Sequence, residues 1–351
     1  MSRFHKLTIK EVKKVTQKAV TISFHVPEHL QNAFSFKAGQ YITLKTTLGG
    51  KEVRRDYSIC SSPKSGDLKV AVKAVEHGKF SKFANSELKT NDVLEVSEPN
   101  GRFTFEADQS KSRTISAFAA GSGITPIMGI LKTVLEEEPQ SHFVLVYGNK
   151  TPEETIFYNE LLELQSKYDD RLKIQFVFSQ AREDNALFGR IDKSTVNFAL
   201  KNLFNNASID TFYLCGPEAM IHTVKDVLIE NSISESHIKF ELFTVSTPEN
   251  IAVGKVVDGQ TSVTVMLDDE EFDFVMDAKK TVLEVALSEK IDAPYSCQGG
   301  ICSSCLARLK EGQVSMRQNN ILTDSEVAEG LILTCQSQPT TSKIYVDYDD
   351  I

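Results

Sequence analysis

The stretch PYSCQGGICSSC, residues 294–305, places three thiols at Cys297, Cys302 and Cys305, and a fourth follows at Cys335 after 29 intervening residues. That spacing, C-x4-C-x2-C and one distant cysteine, is the pattern by which four thiolates hold a 2Fe-2S cluster. A loop that wraps a cluster needs backbone N–H groups turned toward sulfur and positive φ at some positions, and Gly299 and Gly300 are expected to supply the latter. A structural zinc site also uses four cysteines, but as two close pairs rather than three clustered and one remote. Disulfides fit poorly, because the chain has 6 Cys in 351 residues and no apolar N-terminal signal segment. That cysteine usage predicts a reducing, cytoplasmic setting.

Around the loop a small domain is expected. Val263, Val265 and Leu267, then Phe272, Phe274 and Met276, alternate as in a hairpin with one buried face. Thr281 and Glu284 form a capping box ahead of Val282, Val285 and Ala286, and Thr323 with Glu326 forms a second. A strand is predicted around Leu306–Leu309, and Cys335 is predicted to lie in a strand. Over residues 260–351 the pattern resembles a plant-type ferredoxin, an α+β β-grasp module.

A length of 351 residues calls for two or three domains. The formal net charge of −9 is unevenly spread: residues 1–259 carry equal numbers of acids and bases, 32 of each, while residues 260–351 carry 16 acids and 7 bases. The acidic part is either a solubilising surface or a docking surface for a basic partner. This distribution argues against nucleic-acid binding, and no run of apolar residues is long enough to cross a membrane.

Residues 6–105 read as an antiparallel β-barrel, with runs such as Ala19–Val26, Tyr41–Leu44 and Leu68–Val75 separated by turn residues. Within it, Arg55-Asp56-Tyr57-Ser58 is followed by Gly78-Lys79-Phe80-Ser81. A flavin needs an aromatic face, a hydrogen bond at its reactive edge and cationic or N–H donors for phosphate. Arg55 and Tyr57 share one strand face, and Gly78 to Ser81 can open a helix whose free N–H groups meet a pyrophosphate. Taken alone, a tyrosine in a strand is as readily a core residue.

From Lys111 the pattern becomes α/β with a parallel sheet. A strand at Thr114–Ala120 runs into Gly121-Ser122-Gly123-Ile124-Thr125-Pro126 and an amphipathic helix, and further strands are predicted at His142–Tyr147, Lys173–Phe178 and Thr211–Leu214, the last leading to Cys215-Gly216-Pro217. Such turns gather at the carboxyl edge of the sheet, where dinucleotides bind.

R-x-Y-S, G-x-x-S, A-G-S-G-I-T-P and C-G-P, in this order, resemble the ferredoxin-NADP reductase superfamily. With a ferredoxin at the carboxyl end, the whole chain resembles the reductase component of a multicomponent oxygenase. The resemblance implies four parts: residues 1–109 as an FAD-binding barrel, 110–245 as an NAD(P)-binding domain, 246–259 as a linker and 260–351 as the ferredoxin domain.

It also implies roles. Tyr57 and Ser58 would face the isoalloxazine, and Arg55, Gly78, Phe80 and Ser81 would hold the flavin and its phosphates. Gly121, Gly123 and Thr125 would take the dinucleotide; Cys215, Gly216 and Pro217 would lie by the nicotinamide, and Phe243 of Glu241-Leu242-Phe243 near the flavin. Tyr57, Ser58, Cys215 and Phe243 form the expected catalytic set. Ser179, with Arg182 beyond it, favours NADPH over NADH.

Electron counting orders the carriers. A nicotinamide gives two electrons as hydride and a cluster takes one, so flavin stands between them. None of the 7 His belongs to a C-x-H pair or follows a Glu by three residues, so the oxygenase is expected to be a separate polypeptide. The competing readings are the reductase of a ring-hydroxylating or steroid-type hydroxylase, and a non-enzymatic redox sensor.

Overall fold

The computed structural model describes residues 4–204, 209–243 and 259–351. The chain falls into two compact units, one of them Phe4–Phe243, the other C-terminal. All but the last residue of the expected linker 246–259 lies outside the described residues.

The first unit opens with β1 (Phe4–Thr16), β2 (Ala19–His25), β3 (Tyr41–Leu48), β4 (Lys51–Ser58), β5 (Leu68–Lys73), helix α1 (Lys79–Ser86) and β6 (Val93–Ser97). Their antiparallel order is β4-β3-β6-β1-β2-β5, and a bridge between Ile59 and Val70 joins the two ends into a barrel. Leu7, Ile9, Ile22, Ile42, Leu44, Val70 and Val96 fill it. The β3–β4 hairpin turns through Gly49 and Gly50, with φ of 58° and 73°, the two left-handed positions that a two-residue turn requires.

There follow β7 (Thr114–Ala120), α2 (Ile124–Glu137), β8 (His142–Asn149), α3 (Tyr158–Lys167), β9 (Leu172–Phe178), β10 (Ala186–Phe188), α4 (Lys193–Asn202), β11 (Ile209–Gly216), α5 (Glu218–Glu230) and β12 (Ile238–Leu242). The strands pair in parallel in the order β10-β9-β8-β7-β11-β12. The chain therefore winds outward from β7 in one direction, then returns to β7's other side, so the topological switch lies between β7 and β11. The connector from the barrel is pinned by an ion pair between a half-buried arginine and a buried carboxylate. Arg113 Nη2 lies 2.6 Å from Glu138 Oε1, and Glu138 also accepts from Ser141 Oγ and Asp108 N.

The C-terminal unit has β13 (Gln260–Leu267), β14 (Glu270–Asp277), α6 (Val282–Ser288), β15 (Leu306–Glu311), β16 (Val314–Met316), α7 (Asp324–Ala328), β17 (Leu331–Leu333), β18 (Ser337–Pro339) and β19 (Lys343–Asp347). Its main sheet runs β14-β13-β19-β15-β17, with only β13 and β19 parallel. Both predicted capping boxes form, at Thr281/Glu284 and Thr323/Glu326. The β13–β14 turn puts Asp268 and Asp269 at φ of 56° and 60°, and the Asp349 carboxylate accepts both of their N–H groups.

Cys335 departs from its expected place in a strand. It occupies the turn between β17 and β18, where Gln336 N and Ser337 Oγ both donate to Leu333 O at 2.8 Å. Those bonds draw the chain back on itself, so the thiol leaves the line of the strand.

Candidate functional site

The barrel brings Arg55, Tyr57 and Ser58 to the end of β4. Arg54 and Arg55 have separate duties: Arg54 is buried against Glu52, at 2.7 Å, and over the Phe4 ring, whereas Arg55 is exposed. Tyr57 is half-buried and leans on Phe80 of α1, ring centroids 5.6 Å apart, so the opening of α1 sets the angle of the tyrosine ring. Burial pushes the Tyr57 phenol well above its ordinary range and keeps it neutral.

Gly78 caps α1 with no side chain of its own. A Cβ there would run into the Ser81 hydroxyl and come within 2.6 Å of Val75 Cγ2. Ser81 Oγ accepts from Val75 N at 3.2 Å, which leaves its own hydrogen to donate. An exposed guanidinium, a braced aromatic ring and a helix start with a glycine cap fit a flavin nucleotide.

At the switch point the glycine turn that follows β7 presses against the end of β11. A Cβ on Gly123 would collide with the Cys215 carbonyl and stand 2.8 Å from Gly216 N, while no atom of the described residues lies within 4 Å of the corresponding position of Gly121, whose φ is +56°. Gly123 thus allows the close approach, and Gly121 keeps an open side for a ligand. Thr125 is buried and donates to Ser122 O at 3.0 Å, which fixes the turn. Gly216 packs under Met220, and Pro217 caps α5.

Cys215 is fully buried and registers against Glu241 on β12. Ser58 Oγ donates to Glu241 Oε2 at 3.4 Å. Burial, with Asp56 adding repulsion, pushes the Glu241 carboxyl up to about 8, against the Ser58 hydrogen bond. Cys215 is likewise pushed well up, by burial and then by Glu241. Ser58 and Cys215, expected from the sequence, are therefore joined by Glu241, which sequence reasoning left without a role of its own. Its one sequence signal is a carboxylate two residues before Phe243. Phe243 packs on the core cluster that includes Cys215.

Ser179 follows β9 and its N–H donates to Asn149 O at 3.0 Å, while Arg182 lies over the exposed Phe188 ring at 4.4 Å.

In the C-terminal unit the four thiols meet as two pairs. Cys302 donates to Cys297 and favours its thiolate, and Cys305 does the same for Cys335, which pushes Cys305 itself up. Among the described residues no three His, Cys, Asp or Glu side chains converge on a single ion. Paired thiols are what two irons sharing four cysteines require.

Gly299 N donates to Cys297 Sγ at 3.3 Å, and Cys297 N to Cys302 Sγ at 3.5 Å. Positive φ falls on Gln298 and Gly300, at 53° and 70°, and not on Gly299 as expected. Gly300 is forced, since a Cβ there would stand 3.0 Å from Gln318 O. Asn320, whose N–H donates to Gly300 O, has a buried side-chain nitrogen with no partner among the described residues. An orphaned donor beside a sulfur-rich loop fits a group that brings further acceptors.

Three family models match the chain: an oxidoreductase FAD-binding domain over residues 6–105, an oxidoreductase NAD-binding domain over 118–226 and a 2Fe-2S iron-sulfur cluster binding domain over 265–340. The chain is 39% identical over 352 residues to a 1,2-phenylacetyl-CoA epoxidase subunit from Escherichia coli (strain K12), covering 99% of each. It is 31% identical to the ferredoxin reductase component of 3-ketosteroid-9-alpha-monooxygenase from Rhodococcus rhodochrous, covering 97% of this chain and 96% of the other. Among solved structures, phthalate dioxygenase reductase superposes with a TM-score of 0.61 at 25% identity and 98% coverage of both chains. The chain belongs to the family of oxygenase reductase components that combine FAD-binding, NAD-binding and 2Fe-2S domains in one polypeptide, and it is an oxidoreductase that serves a separate oxygenase.

Proposed function

We propose that this protein draws electrons from NADPH and delivers them to a separate epoxidase acting on an aromatic CoA ester, phenylacetyl-CoA or a close analogue. The observation that carries the choice of acceptor is the 39% identity to the phenylacetyl-CoA epoxidase component along essentially the whole of both chains. The division is the one read from the sequence: flavin in residues 1–109, nicotinamide in 110–245, a linker at 246–259 and the cluster in 260–351.

When bound, FAD would supply the two-electron chemistry that a hydride donor needs, and a 2Fe-2S cluster would supply one-electron chemistry. Arg55, Gly78 and Ser81 would hold the flavin, with Tyr57 and Ser58 against its ring, while Phe80, expected from the sequence to touch the cofactor, is buried in the barrel core and braces Tyr57. Gly121, Gly123, Thr125, Gly216 and Pro217 shape the nicotinamide turn. Glu241 keeps its proton at neutral pH because burial opposes its charge, and its Oε2 accepts the Ser58 hydroxyl hydrogen. Cys215 stays neutral and dry beside them, and Phe243 closes the edge. Ser179 and Arg182 at the end of β9 support NADPH over NADH, through the affinity of a guanidinium for a 2′-phosphate. Cys297, Cys302, Cys305 and Cys335 hold the cluster.

Thiolate ligands favour a reducing compartment, and all six cysteines are free, which supports a cytoplasmic location. Among the described residues no helix is long and apolar enough to cross a membrane.

The test combines the purified protein with NADPH, phenylacetyl-CoA and the catalytic subunits of a phenylacetyl-CoA epoxidase. NADPH-dependent formation of the epoxide ester is expected. Failure to form product while ferricyanide is still reduced would contradict the acceptor assignment and leave the electron path intact.

A further inference from the structure

We propose that Gln336 raises the reduction potential of the iron–sulfur site by donating a hydrogen bond to the Cys335 sulfur while clamping the cysteine loop to the turn that carries Cys335. The proposal rests on the assignment of Cys297, Cys302, Cys305 and Cys335 as ligands.

Gln336 is 8% exposed, and its side-chain nitrogen has two acceptors. Nε2 donates to Gln298 O at 2.8 Å and lies 3.7 Å from Cys335 Sγ, a distance at which an N–H still bonds sulfur. An amide nitrogen has two hydrogens, so both bonds form together. The clamp acts where the backbone needs one. Gln298 holds a left-handed φ of 53°, which a non-glycine residue adopts only when its surroundings enforce it. Glycine at 300 leaves the Gln336 side chain its room, since a Cβ there would stand 3.1 Å from Gln336 Cγ.

The electronic consequence has a definite sign. Reduction adds one electron, supplied by the reduced flavin, to a site whose four thiolates already carry negative charge; no bond forms or breaks and no proton is taken up. A donor on a ligand sulfur bonds the more negative state more strongly and so favours it. Gln336 therefore makes the site easier to reduce, and removing its amide makes it harder. A charge-assisted bond lost from one sulfur should shift the equilibrium by roughly three- to tenfold, tenfold being 59 mV for one electron.

The experiment measures iron, sulfide and the cluster's reduction potential in the full-length protein and in the variants Gln336→Leu and Gln336→Leu/Gln298→Gly. Leucine keeps the bulk and removes the donors; glycine at 298 removes the need for the clamp. The single variant should lose iron to a chelator faster than wild type, and the double variant should retain it. Both should show a potential lowered by the stated factor. A variant with full iron content and the wild-type potential would overturn the proposal. So would failure of the double variant to regain iron that the single variant had lost. Wild-type protein with no iron or sulfide would instead refute the ligand assignment itself.

Discussion

Ser58, at the end of the barrel strand β4, donates a 3.4 Å hydrogen bond to Glu241, 183 residues further along the chain on β12. The same carboxylate registers with Cys215 across β11 and β12. One hydrogen bond therefore joins a strand of the barrel to the edge strand of the parallel sheet.

Glu241→Gln should remove the titratable group at that contact. The carboxyl of wild type is raised to about 8, so it is protonated at neutral pH and ionises as pH rises through that value. Hydride transfer from NADPH, followed by stopped-flow flavin absorbance, should slow in wild type above about pH 8 and be flat in the variant. Stability gives a second reading. A carboxyl with a raised folded-state value binds more protons folded than unfolded between its ordinary 4.5 and about 8, so stability falls as pH rises across that window. The variant should gain in Tm relative to wild type between pH 5 and 8, and an unchanged difference would contradict the burial argument.

Gly123→Ala should destabilise the first unit. The new Cβ meets the backbone of Cys215 and Gly216, neither of which can rotate away. Overpacking of this kind costs about 1–3 kcal/mol. Denaturant unfolding should show a lower midpoint, and NADPH oxidation should weaken with it. Gly121→Ala meets no atom, yet it pays for a left-handed φ.

Cys302→Ser should abolish the cluster and leave flavin bound, because the thiols and the Arg55–Ser81 site belong to separate compact units. Iron and sulfide analysis beside the flavin spectrum checks this, and unchanged iron would refute the ligand assignment.

Electron delivery to the oxygenase should slow as salt rises. The net charge of −9 belongs entirely to residues 260–351, and screening weakens charge steering over about 10 Å at 0.1 M. A transfer rate independent of ionic strength would leave the acidic surface with a solubilising role only.

What was legible in the sequence follows from how local each signal is. Alternation placed β13 and β14, and S/T-x-x-E spacing placed two helix starts, because those bonds close within a few residues. The strand expected at Thr114–Ala120 forms with those bounds, since a run buried on both faces reads the same in sequence and in space. Sequence alone puts Cys335 in a strand because the apolar run Leu331–Leu333 continues the pattern into it, and only hydrogen bonds back to Leu333 make the turn. Positive φ was expected at Gly299 on residue type, whereas the loop spends it on Gln298, held by Gln336 from the far side of the site. Glu241 was invisible as a functional group because its burial and its partners, Asp56 and Ser58, come from the barrel.

Electrons are expected to leave through the cluster and not directly from the flavin. This route is tested most directly by a polypeptide ending at residue 249, compared with the full-length protein at equal flavin content. The shortened protein should oxidise NADPH with ferricyanide at the full-length rate and drive no oxygenase turnover. Oxygenase turnover as fast as that of the intact chain would contradict the account.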